Sequence, residues 1–528
     1  MMLVWIILIL LISGAVAWLL SQWNKLLSKV ICLLGLIIQL GLIIALWIQS
    51  DSISSDQKWI GMYSHSWIPS FGIHIKLAVD GLGLIMILLN TFLGIGALVI
   101  SWREVNKKVG FFLFNLMLLL AGITGVFLAM DLFLFYFSWE LMLIPMFFLI
   151  SIWGNEKRKY AAIKFFLFTQ EGGMLMFLSI MGLYFHHGQH TGVYTFDYQE
   201  LLGTVLEPNI GIWLMLGFVM AFIVKMATVP FHSWLLDAYT QAPISGSIIL
   251  AGSLLNAGAY GLIRFVLPLF PQAAHQFAPV AMTLGVVSIL YGAKLAFAQT
   301  DIKRLIGYIS ISHVGFILIG IFAFTEIALQ GVVMEIVAHA ICICGLFILA
   351  HSLQNRLHTR DLEKMGGLWE VAPKMGVMGL IFVMASLGLP GLGNFVGEIL
   401  ILLGTFSENK VFAIIAASGL IFSVVYSLRL MQKIFYGKKF RDSKIIDLTR
   451  REQVIMIPMA VIIIGLGIYP MAILNISKNS VEKIIQNVSS ENELKSIGNS
   501  KQRPRSQHFS TSTAEEETSW EEVVLKSD

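Results

Sequence analysis

Read only for hydrophobic and polar positions, the chain is a succession of long apolar runs separated by short polar breaks. The runs fall at 3–20, 27–49, 81–102, 110–129, 132–152, 162–185, 211–235, 243–267, 277–298, 304–324, 327–350, 376–404, 411–433 and 453–475. Each approaches the ~20 apolar residues that carry a helix across the hydrocarbon core of a bilayer. They are continuous rather than alternating, which excludes a transmembrane β-barrel. The pattern predicts an all-α polytopic membrane protein of fourteen transmembrane helices. The first run resembles a signal peptide, with Ala15-Val16-Ala17 imitating a cleavage site, but no basic residue precedes it and Lys25 and Lys29 follow. It reads as an uncleaved span. Beyond residue 478 the chain turns to Ser, Asn, Glu and Lys, with a basic patch and then an acidic one. Such a segment buries too little apolar surface to order itself, and 478–528 is expected to be a disordered polar tail.

Composition agrees. Of 528 residues 57% are hydrophobic and 13% charged, against about 45–50% and 25% in soluble domains, which excludes an ordinary soluble enzyme. The net charge of +4, from 36 basic and 32 acidic residues, suggests no nucleic-acid partner. Cys32, Cys342 and Cys344 lie within apolar runs, with no zinc or disulfide spacing, so neither a metal nor a redox centre is expected on this chain. Lys and Arg concentrate in odd-numbered loops, from Lys25 and Lys29 in the first to Lys433 through Arg451 in the thirteenth; Lys58, Lys76 and Lys410 are the exceptions. By the positive-inside rule the odd loops are cytoplasmic and both termini lie outside.

An ionisable group at membrane depth costs about 2.5–3.5 kcal/mol on insertion scales and marks an ion or proton path by default. Glu140, Lys225, His339 and Glu398 lie well inside separate runs, and His313, Lys294, Glu335 and Glu171 are further candidates. Two runs are also interrupted. Pro230, five residues after Lys225, leaves the carbonyl of Met226 without its helical partner, and Pro390 does the same to Ser386. Broken helices are tolerated at depth where protein or a polar cavity satisfies the freed backbone. Paired breaks in the seventh and twelfth spans point to inverted repeats with sites at the breaks. The organisation is then 1–109 (helices 1–3), 110–267 (first repeat, helices 4–8), 277–433 (second repeat, helices 9–13), 434–477 (loop and helix 14) and the tail. Burial disfavours an ammonium and a nearby carboxylate favours it, so movement of Glu140 against Lys225 would take up or release a proton. Histidine suits the relay between such groups. Glu335 and His339, four apart, share a helix face as relay or static hydrogen bond. Gly391-x-Gly393-x-x-x-Gly397 misses the dinucleotide spacing, and His186, His187 and His190 fall in a polar outer loop.

The motifs support a family resemblance. Phe-Ser-Trp-Glu-Leu at 137–141, the stretch from Lys225 to Trp234, Gln-Ala-Pro-Ile-Ser-Gly-Ser at 241–247, Ala-Gln-Thr-Asp-Ile-Lys-Arg at 298–304, Ser-His-Val-Gly-Phe at 312–316 and Gly-Asn-Phe-Val-Gly-Glu at 393–398 resemble the antiporter-like membrane subunits of respiratory complex I (NADH-quinone oxidoreductase), most of all the subunit M type, subunit 4 in mitochondria. The likeness runs from about residue 1 to 475 and is supported by Asp-Gly-Leu-Gly-Leu at 80–84 and by the segment from His358 to Trp369. It implies Glu140 and Lys225 as a charge pair, His313 and His339 as a central relay, and Glu398 near the exit, with His232 and Asp237 as further candidates. It also implies proton translocation driven by quinone reduction on other subunits, with NADH, FMN, iron–sulfur clusters and quinone held there and none here. The partners implied are protons, lipid and neighbouring antiporter-like subunits.

The chain departs from the pattern where the eighth helix carries Asn256 in place of the usual lysine, and where Leu236 and Tyr239 replace Pro and His. Lys294, Glu335 and Glu171 are ionisable where the resemblance does not lead one to expect it, and they offer compensation. Two other readings stand beside the first: a subunit of a multi-subunit sodium/proton antiporter, and a structural membrane subunit whose channel has decayed.

Overall fold

The computed structural model describes the backbone of residues 1–50, 59–437 and 445–501, and the side chains of 1–49, 59–437 and 445–488. Thirteen helices among these residues are long and apolar enough to cross a membrane, from Met2–Leu20 to Arg450–Ile468. The twelfth predicted span makes fourteen, as two shorter helices, Pro373–Ser386 and Gly393–Glu408. Polar residues at the boundaries start the helices: Asp131 accepts from the N–H groups of Phe133 and Leu134, Asp301 from those of Lys303 and Arg304, and Thr449 and Glu452 form a capping box. The eighth span (Ile244–Leu269) is buried throughout and the eleventh (Glu326–Leu357) is buried along its middle, whereas the first, second and thirteenth keep much apolar surface on the outside, as lipid contact requires.

The two predicted repeats share a local device. Ahead of the fifth span the backbone at Asp131 pairs with that at Asp197: Leu132 N donates to Phe196 O at 2.8 Å, and Tyr198 N to Met130 O at 2.9 Å. Five spans later Asp301 pairs likewise with Asp361, through Ile302 N to Arg360 O at 3.0 Å and Leu362 N to Thr300 O at 2.8 Å. The first bridge joins two even loops and the second two odd ones, so they lie on opposite faces, the relation inverted repeats produce.

Both predicted breaks are present. The seventh span stops at Lys225 and resumes as Ser233–Gln241; the twelfth is open from Leu387 to Leu392. Two further irregularities have no counterpart in the hydrophobic pattern. The fifth span slips at Met142, between Leu132–Leu141 and Leu143–Trp153, where Pro145 offers no N–H to the carbonyl of Leu141. The eighth contains two π-helical turns, Leu250–Leu254 and Leu262–Val266, on either side of Asn256.

One exception is explained and two expectations are corrected. The second loop contains a hairpin, Gly61–Ile68 against Ile73–Val79, and Lys76 within it is paired with Asp197 and Gln199, which explains its exception to the charge rule. The sixth span runs on to Thr191, so His186, His187 and His190 sit on its last turns, bonded to Val205, Thr204 and their own helix. The tail is not disordered from 478, because a helix spans Met471–Lys501. Val481, Ile484 and Val488 make a buried stripe in this mainly polar sequence. Gly81 lies so close beneath the helix that a Cβ there would meet the carbonyl oxygen of Ile476 at 1.7 Å. Residues 502–528 lie outside the described residues.

Candidate functional site

The break in the seventh span places Lys225 at a helix end in the protein interior. Trp234, from beyond the break, donates its indole N–H to the Val224 carbonyl at 3.0 Å, and Val229 N–H is taken by Ser288 Oγ of the ninth span at 3.1 Å. These bonds answer part of the backbone need that the break creates. Lys225 is 1% exposed. Its Nζ lies 5.0 Å from the ring centre of Trp139 and 5.9 Å from that of Phe165, and it has no hydrogen-bond partner among the described residues.

Glu140 sits just before the slip in the fifth span. Its Oε1 occupies space opened by Gly173 of the sixth span, where a Cβ would lie 2.3 Å away. Tyr136 and Gln170 lie beside the carboxylate, and Lys225 acts on it through space. The expected charge pair is therefore a pair without a direct bond. Aromatic faces favour a cation by roughly 0.5–2 kcal/mol, less than desolvation costs it, so the charge on Lys225 depends on how near Glu140 stands.

In the second half the polar groups touch. His313, from the tenth span, points Nδ1 at Oε1 of Glu335 (2.9 Å) and Oε1 of Glu398 (3.2 Å). Its Nε2 lies 3.1 Å from the carbonyl of Ser386, the group that Pro390 frees. Asn394 Nδ2 donates to Glu335 Oε1 at 3.3 Å. His339 bonds through Nε2 to Ser310 Oγ at 3.0 Å, and its ring centre is 5.6 Å from that of His313. Gly388, at φ +73°, opens the space that Glu398 Oε2 fills; a Cβ there would lie 2.3 Å away. Oε2 of Glu335 and both Glu398 oxygens lack a hydrogen bond among the described residues. Two buried carboxylates around one imidazole carry a charge set by how many protons the three hold, and a small cation would use the same donors, which lie within 4.8 Å of one another.

The other candidates divide. Glu335 joins the second cluster. Asn256, fully buried, donates from Nδ2 to Gly252 O at 2.8 Å and to Ile336 O at 3.4 Å, which ties the eighth span to the eleventh beside Glu335. Lys294 and Glu171 point outward from the chain and meet neither cluster. Asp237 binds Lys164 at 2.7 Å and lies 3.7 Å from Arg304, in a vestibule on the odd-loop face. His232 packs against Tyr291 and Tyr308, away from Glu398 and the histidines. Sequence reasoning does not single out Ser310, Asn394 or the cradling glycines Gly173 and Gly388. Ser310 stands three residues before His313, a helical neighbour that an apolar run gives reason to question.

Comparison with known proteins places the chain in a family and matches its fold. The profile of the family described as NADH:quinone oxidoreductase/Mrp antiporter, TM, matches residues 129–423. NADH-quinone oxidoreductase subunit M of Pseudomonas aeruginosa is 48% identical over 497 residues, covering 92% of this chain and 98% of its own. The Escherichia coli K12 protein of the same name is 45% identical over 498 residues, covering 92% and 98%. Among solved structures, a chain of respiratory complex I from Thermus thermophilus superposes with a TM-score of 0.82 at 27% identity, over 92% of this chain and all of that one. A chain of the Mrp complex from a Dietzia species shares the fold, with a TM-score of 0.78 at 20% identity, over 96% of this chain and 58% of that one.

Proposed function

Because the chain belongs to the NADH:quinone oxidoreductase/Mrp antiporter membrane family, we propose that it is the subunit M type module of an NADH-quinone oxidoreductase and moves protons through its two buried sites. Redox chemistry belongs to other subunits, which carry NADH, FMN, iron–sulfur clusters and quinone; this chain contributes a protein path. The observation that carries the path is the placing of a buried, unbonded lysine and a shared-imidazole carboxylate pair at the two helix breaks.

Each proton moved against 100 mV requires about 2.3 kcal/mol. A displacement that brings Glu140 toward Lys225 stabilises the ammonium and loads the first site; its withdrawal exposes an unpaired charge to a dry aromatic pocket and expels the proton. The second site accepts protons among His339, His313, Glu335 and Glu398. Neighbouring membrane subunits transmit the displacement. The odd loops face the bacterial cytoplasm and both termini the periplasm.

The test is NADH-driven proton uptake per electron in inverted membrane vesicles, wild type against Lys225→Ala, with the assembled complex verified in both. Reduced uptake per electron is expected. Unchanged uptake with the variant chain in place would instead make this a structural subunit, and sodium-dependent exchange without NADH would make it an antiporter.

A further inference from the structure

The end of the sixth span carries two histidines that neither buried site uses. Its helix, Arg158–Thr191, has 34 residues, about 51 Å of helix against a hydrocarbon core of ~30 Å, so it runs on past the core and its last turns stand on the even-loop face. Gly192, at φ +77°, closes it with its N–H on the Gly188 carbonyl. His186 and His190 are four apart, the spacing that sets two side chains on one helix face, and their ring centres are 4.2 Å apart. His190 is exposed and His186 partly so. Each ring is already oriented by a backbone carbonyl: His186 Nε2 lies 3.0 Å from Val205 O, and His190 Nδ1 lies 2.8 Å from His186 O. A carbonyl only accepts, so those nitrogens carry the protons. The other nitrogen of each neutral ring, Nδ1 of His186 and Nε2 of His190, is then a lone pair, and neither has a hydrogen bond among the described residues. His187 belongs elsewhere: it is 7% exposed, and its Nδ1 is 2.9 Å from Thr204 Oγ1.

We propose that His186 and His190 form a binding site for a divalent transition cation of the zinc or copper type. Imidazole nitrogen suits these ions, and a ligating histidine almost always gives its remaining ring N–H to a carbonyl, carboxylate or water, which fixes the tautomer and raises the basicity of the donor. Both rings have that supporting bond before any metal arrives. Two protein nitrogens leave the remaining positions of a four-coordinate ion to water, and the pair is open to solvent, so the ion reaches it without crossing the protein. Cysteine spacing, which argues against a metal, has no bearing on a histidine pair. A loop reading hides the pair as well, because only a helix carried through to Thr191 puts residues 186 and 190 on one face. Through His186 and Val205 the ion also braces the segment that leads into the seventh span, Pro208–Lys225. The site stands apart from both helix breaks and does not depend on the proton-path reading.

The experiment is zinc binding to the purified, assembled complex, by equilibrium dialysis at micromolar free zinc with elemental analysis. It compares wild type with His186→Gln, His190→Gln and His65→Gln, the last replacing an exposed histidine of the hairpin on the same face. His186→Gln and His190→Gln should each bind about one zinc ion fewer than wild type, and His65→Gln should match wild type. Equal zinc in all four would overturn the site. Loss in only one of the two would overturn shared ligation, and equal loss in His65→Gln would reduce the binding to unspecific histidine contacts. A second measurement needs no variant: zinc should protect His190 of the wild-type complex from diethyl pyrocarbonate several-fold, read by peptide mass, while His65 is modified as before. Equal modification of His190 with and without zinc would overturn the proposal and leave the proposed function untouched.

Discussion

The two buried sites solve the same physical problem in opposite ways. In the first, Lys225 has no bonded partner among the described residues and packs against Trp139 and Phe165, with Glu140 near but not bonded to it. In the second, His313 is gripped by Glu335, Glu398 and the Ser386 carbonyl. A group whose charge depends on a distance responds to motion; a cluster that shares protons through contact stores and passes them. Both carboxylates rest in glycine-made space, but the glycines differ: Gly173 has ordinary helical backbone and Gly388 lies in the left-handed region.

That contrast makes predictions. The largest effect expected is from His313→Ala, which leaves Glu335 and Glu398 face to face without their partner. Breaking a buried pair in this way costs about 3–5 kcal/mol, so the complex should lose yield and thermal stability, measured by its unfolding midpoint. Lys225→Ala should assemble near wild-type levels, because Lys225 has no hydrogen bond to lose among the described residues; equal destabilisation by the two would erase the distinction. Gly388→Ala comes next. Its φ of +73° disfavours a side chain, and the added Cβ would strike Glu398 Oε2, for a cost of about 1–3 kcal/mol and a drop in proton uptake. Gly173→Ala should cost less, since the Glu140 carboxylate it strikes is the mobile end of a half-buried side chain; uptake should fall while the unfolding midpoint stays within a few degrees. A partial effect is expected from Glu335→Gln combined with restoration of a cation by Asn256→Lys: Glu335→Gln alone lowers uptake, and the second change partly recovers it if the contact through Ile336 couples the two positions. No recovery would show that they act independently. Lys294→Met and Glu171→Gln, both outside the clusters, should leave uptake unchanged.

Part of both sites is legible in the order of residues alone. Pro390 implies a loose carbonyl at Ser386, and the fold hands that carbonyl to His313. The spacing of Lys225 and Pro230 implies an interrupted seventh span ending at the lysine. The slip at Met142 is equally implicit in Pro145, but one proline among fourteen spans carries little weight without a neighbour to show what the break serves. The helix at 471–501 escapes a reading of the sequence because its apolar positions are sparse and count only when another surface meets them, here the undersides of the third and eleventh spans at Gly81 and Gln330.

The sequence by itself determined the number of spans, their two principal breaks and the identities of the ionisable groups at depth. Those properties are local: run length is set by bilayer thickness, and a missing N–H disrupts its own helix whatever lies around it. Only the tertiary structure decided which charges meet. It rotated Glu335 inward to share His313 and left Glu171 and Lys294 on the outside, kept Glu140 from closing on Lys225, and set Ser310 against His339 across two spans. Such pairings depend on how helices distant in sequence turn about their axes and cross, and the small residues that make room for them, Gly173 and Gly388, reveal their purpose only from the side chain that fills the space each leaves.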